Sequence, residues 1–255
     1  NYTPATWTDV KWKIFYADND NIYLIADNYV ERTNLPNSTN GTTATANKPN
    51  DGSSSYARTA NFTNILGDYA GSARITDSRL KALNNDYFNT KGFSSTNNNM
   101  KSVAYMMDTT AWNSKFKDTN NKADYVIGGP SVELLFKSYN AKYKTAFESQ
   151  AVESSDKRNT GYQIRKTSSD SWANYVSSML STSDPLYVIT AQSNALAYWL
   201  ASPSVNDADF VLSAYYYGGV GDSDYRYDSS GFRPLVCLQS GVKLQKVSDK
   251  QYTIQ

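Results

Sequence analysis

The sequence predicts an α+β fold, because its helix-like and strand-like segments are grouped along the chain rather than alternating. Three stretches before Pro185 repeat apolar residues at helical spacing, whereas from Pro185 onward short apolar runs are separated by Gly, Asn and Asp. With 255 residues, the chain is long enough for one large domain or two small ones. Because no stretch between residues 56 and 255 has the composition of a linker, we expect a single domain over residues 1–255.

A β-hairpin is predicted near the start of the chain. Residues 11–17 (KWKIFYA) and 21–26 (NIYLIA) are rich in aromatic and β-branched side chains, and Asp18, Asn19 and Asp20 between them are good turn formers. Residues 37–55 that follow contain almost nothing that could be buried. We therefore expect them to form a polar loop insertion.

Three helices are predicted, near residues 80–87, 132–143 and 172–180. Either Ser131 caps the second helix or Pro130 occupies its first turn. The third has apolar residues at i, i+3, i+4, i+7 and i+8, which is the strongest helical signal in the chain. The three stripes are Leu80, Leu83 and Tyr87; Val132, Leu135, Phe136, Tyr139 and Tyr143; and Trp172, Tyr175, Val176, Met179 and Leu180.

Short strands dominate the final third of the predicted fold. Strand alternation within residues 210–217 places Tyr215 and Tyr217 on one face and Tyr216 on the other. If Ser213 faces solvent, Tyr215 and Tyr217 do too, unless a bulge changes the alternation. The predicted strands are LYVIT (186–190), AYWLA (197–201), FVLSAYYY (210–217), FRPLVCL (232–238) and VKLQKV (242–247).

Composition excludes several classes of function. The 25 basic and 24 acidic side chains give a net charge of +1, so no global field attracts nucleic acid or an anionic membrane. No apolar run approaches the roughly 20 residues that span a bilayer, and the chain starts at Asn1 without a signal-like segment. We expect contact with a membrane only through an anchor upstream of Asn1. A surface rich in Asn, Ser and Thr favours an extracellular or cell-surface location.

The usual forms of catalysis and metal binding are also disfavoured. The chain has no histidine, which is the commonest general base and transition-metal ligand. Cys237 is the single cysteine, so an internal disulfide and a multi-thiolate metal site are excluded. Alternation in its strand favours a buried small side chain over a nucleophile. We expect no cofactor.

Residues 198–238 have the composition of a recognition surface. Two apolar blocks there enclose a run dense in Tyr, Asp, Ser and Gly. Tyrosine offers a broad amphipathic face at small entropic cost, while Ser, Asp and Gly add adaptable hydrogen bonding. This composition favours a binding protein over an enzyme.

The segments YWLASPS (198–204) and GFRPLVCL (231–238) resemble the variable proteins of diversity-generating retroelements and related bacterial and archaeal surface proteins. Residues 21–30, 103–112 and 123–140 are similar to that family as well, so the resemblance covers most of the chain apart from 37–55. It implies a C-type lectin fold, with short mixed or antiparallel strands and two or three flanking helices.

The resemblance also implies separate roles for scaffold and displayed residues. Trp199, Gly231, Phe232 and Arg233 would belong to an invariant scaffold. In that family a retroelement mutates adenines of a template repeat, so displayed positions favour residues reachable from Asn codons. The displayed residues that bind a protein or cell-surface ligand would be Ser204, Asn206, Asp207, Asp209, Ser213, Tyr215, Tyr217, Asp222, Ser223, Asp224, Tyr225 and Tyr227.

Two other functions remain open at this point: a glycan-active enzyme with paired aspartates, and a structural or adhesive cell-envelope domain without diversification. The aspartates at 207, 209, 222, 224 and 228 could in principle bind a hard cation, but they lack the spacing of an EF-hand, so no metal site is predicted. Arg233 lies in an otherwise apolar strand, and its guanidinium should require a carboxylate or carbonyl partner.

Overall fold

The computed structural model describes residues 11–29, 129–153, 160–191, 196–206, 210–224, 230–231, 233–239, 241–248 and 251–254. The predicted first helix near 80–87, the polar insertion at 37–55 and Phe232 lie outside these ranges. Within them the chain is mixed and rich in antiparallel sheet, with one helix, which agrees with the α+β class. This helix is 12 residues long, and no helix in the described ranges has the length and apolar character to cross a membrane.

The predicted N-terminal hairpin is confirmed and pairs with a strand from the end of the chain. Strand β1 (Trp12–Ala17) is antiparallel to β2 (Ile22–Ala26). The Asp18 carboxylate between them accepts hydrogen bonds from the Asp20 amide at 3.0 Å and from the Asn21 side chain at 2.9 Å. A late strand, Leu235–Leu238, pairs with the other edge of β2. The first sheet thus joins the two ends of the described chain.

Helix α1 (Val132–Tyr143) confirms the second predicted helix. Ser131 is its N-cap and accepts a hydrogen bond from the Leu134 amide at 3.2 Å. The Val132 amide instead donates to the hydroxyl of Ser202 at 2.9 Å, a residue 70 positions later. The start of the helix is therefore fixed to the sheet that carries the candidate site. Its buried face is made by Val132, Leu134, Leu135, Phe136, Ser138 and Tyr139.

The third predicted helix is wrong. Residues 172–180 form turns and a two-residue strand, Tyr175–Val176. Ala173 exchanges backbone hydrogen bonds with Ile164 at 2.8 and 2.9 Å, and Trp172 stacks beneath the Arg165 guanidinium at 4.2 Å. These contacts with β4 (Thr160–Arg165) satisfy the backbone of Ala173 in an extended form and override the helical periodicity.

The predicted strand at 186–190 is also wrong. Asp184 begins a turn there, because its carboxylate accepts from the Leu186 amide at 3.0 Å and its carbonyl accepts from the Val188 amide at 3.0 Å. Tyr187, Val188 and Ile189 are nevertheless buried in the core. The apolar run was a correct signal of burial, but not of strand structure.

A five-stranded sheet dominates the second half of the chain. Its strands, numbered in chain order, are β5 (Tyr175–Val176), β6 (Ala197–Pro203), β7 (Phe210–Tyr215), β8 (Val220–Asp224) and β9 (Ser230–Gly231). They lie side by side in the order β5-β8-β7-β6-β9, with antiparallel pairs except for the parallel contact between β6 and β9. The predicted strands at 197–201 and 210–217 are confirmed, although the latter ends at Tyr215 because a turn begins at Tyr216. Outside this sheet, β3 (Glu148–Glu153) and β4 (Thr160–Arg165) form one hairpin, and β11 (Leu244–Ser248) and β12 (Gln251–Ile254) form another. The late strand of the first sheet, Leu235–Leu238, is β10.

The core lies where α1, the first sheet and the five-stranded sheet meet. Tyr187 is central to it: its hydroxyl lies 2.8 Å from the Ser138 hydroxyl, and its carbonyl accepts from the Tyr198 hydroxyl at 2.8 Å. Burial raises the pKa of Tyr198 to about 12, against the opposing effect of Arg233. Cys237 is buried, as its alternation predicted. Other core residues include Phe15, Ile25, Tyr29, Leu135, Tyr162, Leu200, Leu212, Val220 and Leu235.

The fully buried Arg233 connects three parts of this core. Its guanidinium donates to the backbone carbonyls of Ala26 at 2.8 Å, Leu186 at 2.8 Å and Pro185 at 2.9 Å, and lies 5.3 Å from the centre of the Tyr198 ring. Burial lowers the pKa of Arg233, while the neighbouring tyrosines oppose that shift. The expected carbonyl partners are thus present.

Arg233→Ala is expected to lower the free energy of unfolding by about 3 kcal/mol or more, because one buried and two part-buried carbonyl oxygens would lose a charged donor and a fully buried side chain would be removed. Urea unfolding of the purified variants measures this. The control is Arg165→Ala, which removes a partly exposed pair with Glu148 and is expected to cost about 1 kcal/mol. Equal unfolding midpoints for Arg233→Ala and the unmodified chain would contradict a structural role for Arg233.

Candidate recognition surface

The register of the five-stranded sheet assigns its residues to two faces. One row across the strands contains Val176, Val220, Ala214 and Tyr198, and the last three of these are buried in the core. The adjacent row contains Tyr175, Gly221, Ser213 and Trp199. Because neighbouring rows alternate between faces, this second row lies on the opposite face, which we call the outer face.

Four tyrosines gather at the end of the sheet where β7 turns into β8. We call Tyr175, Tyr215, Tyr216 and Tyr217 the tyrosine cluster. The rings of Tyr215 and Tyr217 stack with centroids 5.1 Å apart, while Tyr175 meets Tyr215 edge-on at 6.1 Å and Tyr216 meets Tyr217 edge-on at 5.1 Å. Tyr175 is 44% exposed, and Tyr216 and Tyr217 are each 40% exposed. The cluster is therefore a continuous aromatic surface open to solvent.

Hydrogen bonds fix the position of Tyr215 within the cluster. Its hydroxyl donates to the carbonyl of Asp222 at 3.0 Å and is in close contact with the Ser223 hydroxyl. Since a tyrosine hydroxyl has one proton, Ser223 must be the donor in the second contact. The Tyr215 side chain therefore extends across the outer face of β8.

Glycines beneath the cluster allow the rings to lie directly on the backbone. A Cβ at Gly221 would lie 2.5 Å from Cδ2 of Tyr175, and one at Gly219 would lie 2.7 Å from Cε2 of Tyr217. Gly218, at φ +85°, makes the tight turn that brings Tyr217 back over the sheet. Burial raises the pKa of Tyr217, and a hydrogen bond with Tyr175 raises it further, so its hydroxyl stays neutral at physiological pH.

A polar group occupies the opposite end of the same sheet. The Ser204 hydroxyl donates to the Asp222 carboxylate at 3.1 Å and accepts from the Asn206 amide at 3.1 Å. Burial raises the pKa of Asp222, and hydrogen bonds from Ser204 and Asn206 partly oppose this shift. Asp222 pairs with the core residue Leu212, so it lies on the other face of β8 from Gly221.

The predicted ligand-binding residues do not form one surface. Tyr215 and Tyr217 are in the tyrosine cluster, whereas Ser204, Asn206 and Asp222 lie at the polar end. For Asp224 the structure describes the backbone alone, and Asp207, Asp209, Tyr225 and Tyr227 lie outside the described residues. Asp222 and Ser223 are consecutive in a strand, so they face opposite sides.

Three predicted displayed serines are buried, which corrects the expectation that their side chains are exposed. Ser204 and Ser213 have no exposed area, and Ser223 is 7% exposed. Ser213 does share the outer face with Tyr215, as the alternation predicted, but other parts of the chain cover it. Strand alternation gives the direction of a side chain and carries no information about what covers it.

The predicted scaffold residues lie close to this sheet. Trp199 is fully buried in β6, and Gly231 in β9 pairs with Tyr198. Sequence reasoning missed Tyr175 and Tyr216 as surface residues. Tyr175 was assigned to the apolar stripe of the incorrect helix, and Tyr216 to the strand face opposite Tyr217. The Tyr-Tyr-Gly-Gly run at 216–219 was the signal of a turn that exposes both of its tyrosines.

Ser213→Ala is expected to leave the free energy of unfolding unchanged or to raise it by up to about 1 kcal/mol. The Ser213 hydroxyl is buried without a hydrogen-bond partner within the described parts of the chain, so its removal abolishes a desolvation cost. Ser213→Tyr is expected to cost about 1–3 kcal/mol through overpacking. Chemical denaturation of both variants tests the assignment, and a loss above about 1 kcal/mol in Ser213→Ala would show that the hydroxyl is bonded.

Asp222→Asn is expected to increase stability at pH 7. A folded-state pKa above the unfolded value means that ionisation destabilises the folded chain as pH rises through that pKa. The amide keeps an oxygen that can accept from Ser204, and the gain should vanish near pH 3.8, the unfolded value. Unfolding curves recorded at intervals of about one pH unit between pH 3.5 and 7 measure this difference in stability. Lower stability of the variant at pH 7 would be the opposite result.

The surface therefore offers aromatic contact area and hydrogen-bonding groups. Among the residues that the structure describes, no group of three or more acidic or cysteine side chains is arranged to hold a metal ion. Comparison with known proteins found no matching family model, no matching curated protein and no matching solved structure. A function must therefore be inferred from the geometry of this surface and from the resemblance of the sequence to retroelement variable proteins.

Proposed function

We propose that the chain is a ligand-binding surface protein with a C-type lectin fold, that its binding site is diversified by a diversity-generating retroelement, and that it recognises a protein or cell-surface ligand. The single observation that carries this proposal is the tyrosine cluster, in which three exposed tyrosines and the half-buried Tyr215 are held against one another. Exposed contiguous aromatic surface is uncommon on soluble domains and marks interaction sites.

The cluster is suited to binding because it is ordered before a ligand arrives. The Tyr215 hydroxyl is bonded to β8, and the rings of Tyr175 and Tyr217 lie against glycine backbone. Fixing such side chains on association normally costs about 0.5–1.5 kcal/mol each. A preordered cluster avoids most of that cost, and its rings offer a large contact area.

The resemblance to retroelement variable proteins supports the same function. Its two main segments, residues 198–204 and 231–238, coincide with β6 and with the stretch from β9 to β10. These elements contain Trp199 and Arg233, which are fully buried. Buried residues beside an exposed tyrosine surface fit a constant scaffold that displays a variable site.

No described contact favours the glycan-active alternative. A glycosidase needs two carboxylates across the scissile bond. Asp222 is the predicted aspartate whose side chain is described, and its partners there are Ser204 and Asn206.

Sequencing the gene segment for residues 198–238 across the source population tests the proposal. We expect substitutions at the codons of Tyr215 and Tyr217, with Trp199, Gly231 and Arg233 constant. Because Ser204 and Ser213 are buried, substitutions at these two positions should be limited to small residues. A nearby reverse transcriptase and a near-copy of the segment, differing mainly at adenines, should accompany this variation.

An invariant segment without these neighbours would remove diversification from the proposal. Free substitution to large residues at Ser213 would contradict its burial. Variation at Trp199 or Arg233 equal to that at Tyr217 would overturn the division between scaffold and display.

A further inference from the structure

The segments that carry the tyrosine cluster contain no formally charged residue, although β8 beside them ends with Asp222 and Asp224. Residues 173–183, 196–206 and 211–221 contain no Asp, Glu, Lys or Arg, although 19% of the whole chain is charged. These ranges include β5, β6, nearly all of β7 and the start of β8. The surrounding chain therefore supplies the tyrosine cluster with hydroxyls and amides but with no ionic partner from these strands.

Exposed apolar side chains concentrate at the same place. Of the eight large hydrophobic side chains that are exposed in the described residues, four lie here: Tyr175, Leu196, Tyr216 and Tyr217. The Tyr216 amide donates to the Leu196 carbonyl at 2.9 Å, which joins the start of β6 to the cluster. We call these four residues the neutral corner. Leu196 is 42% exposed and adds an aliphatic contact to the aromatic ones.

Asp222 is the one charged residue of the predicted site whose side chain the structure describes, and it lies in a different part of the sheet. The Asp222 carboxylate lies on the other face of β8 and accepts a hydrogen bond from Ser204. A charged ligand group brought onto the neutral corner would lose water without gaining a counter-charge from residues 173–183, 196–206 or 211–221, which is unfavourable. An apolar group would gain free energy from the same burial.

We infer that the ligand is a protein with an uncharged apolar patch, and that the neutral corner forms the core of the interface. This inference rests on the proposed binding function and names its partner class. Cores of protein interfaces are depleted of charged residues and enriched in tyrosine, which is the composition of this corner. Energetically dominant contacts are also concentrated in a few central aromatic residues.

The first consequence is that binding depends weakly on ionic strength. Interfaces that use charge pairs lose affinity as salt screens them, with a Debye length of about 10 Å at 0.1 M and about 3 Å at 1 M. For an uncharged interface core, the Kd should change by less than about twofold between 0.05 and 0.5 M NaCl.

The test uses a phage-displayed library of random 12-residue peptides, with all twenty amino acids allowed, selected on the full chain. Peptides that still bind a Tyr216→Ser, Tyr217→Ser double variant are removed. The retained peptides should be poorer in Asp, Glu, Lys and Arg than the unselected library, and their Kd should be insensitive to salt. Each single variant should weaken binding on the order of tenfold.

Tyr252→Ser is the matched control, because Tyr252 is 46% exposed on β12, outside the cluster. It should leave the Kd of the retained peptides unchanged, and urea unfolding should show that all variants are folded. Retained peptides rich in Lys or Arg, with affinity that falls about tenfold at high salt, would overturn the inference but keep the binding function. Failure to retain any peptide, combined with cluster-dependent binding of a neutral glycan on an array, would overturn the protein partner. No cluster-dependent ligand of either kind would instead remove the proposed function.

Discussion

The buried guanidinium of Arg233 is the interaction on which the rest of the structure depends. A full charge in the core is tolerated because three backbone carbonyls accept hydrogen bonds from the guanidinium and the Tyr198 ring lies against it. Two of those carbonyls belong to Pro185 and Leu186, in a segment that is neither helix nor strand. These part-buried carbonyls take their hydrogen bonds from a distant side chain, that of Arg233.

From this contact the order of the core extends to the candidate surface. The segment that Arg233 holds carries Tyr187 into the core, where it bonds to Ser138 of α1 and to Tyr198 of β6. Strand β6 in turn caps α1 through Ser202 and pairs with β7, whose end bears the tyrosine cluster. A scaffold residue can therefore determine the geometry of a surface that it does not touch.

Local signals in the sequence predicted the elements whose hydrogen bonds are local. Ser131 and the following apolar stripe were sufficient for α1, and Asp18 was sufficient for the first hairpin. The helix predicted from the stripe at 172–180 is absent because Ala173 and Trp172 interact with β4 instead of with their own helical turn. Strands β3 and β4 were missed because ESQAVE and TGYQIR carry few apolar residues, and their order comes from pairing with each other and from the burial of Tyr162 and Ile164 in the core. Within the site, alternation correctly gave the face shared by Ser213 and Tyr215, whereas the burial of Ser213 and the position of Tyr175 arise from contacts between segments far apart in sequence.

The pairing of β2 with β10 has a consequence for how the chain acquires its fold. Beside this pair of strands, the Arg233 side chain donates a hydrogen bond to the Ala26 carbonyl, and these two residues are 207 positions apart. At a synthesis rate of about 5–20 residues per second, the edge of β2 stays without its partner for roughly 10–40 seconds after it leaves the ribosome. An unpaired apolar strand edge is prone to aggregate during such a delay, and loop closure over this distance slows folding. The protein should therefore complete its first sheet only after nearly all of this sequence has been made, and a chaperone that shields residues 22–26 would raise its yield.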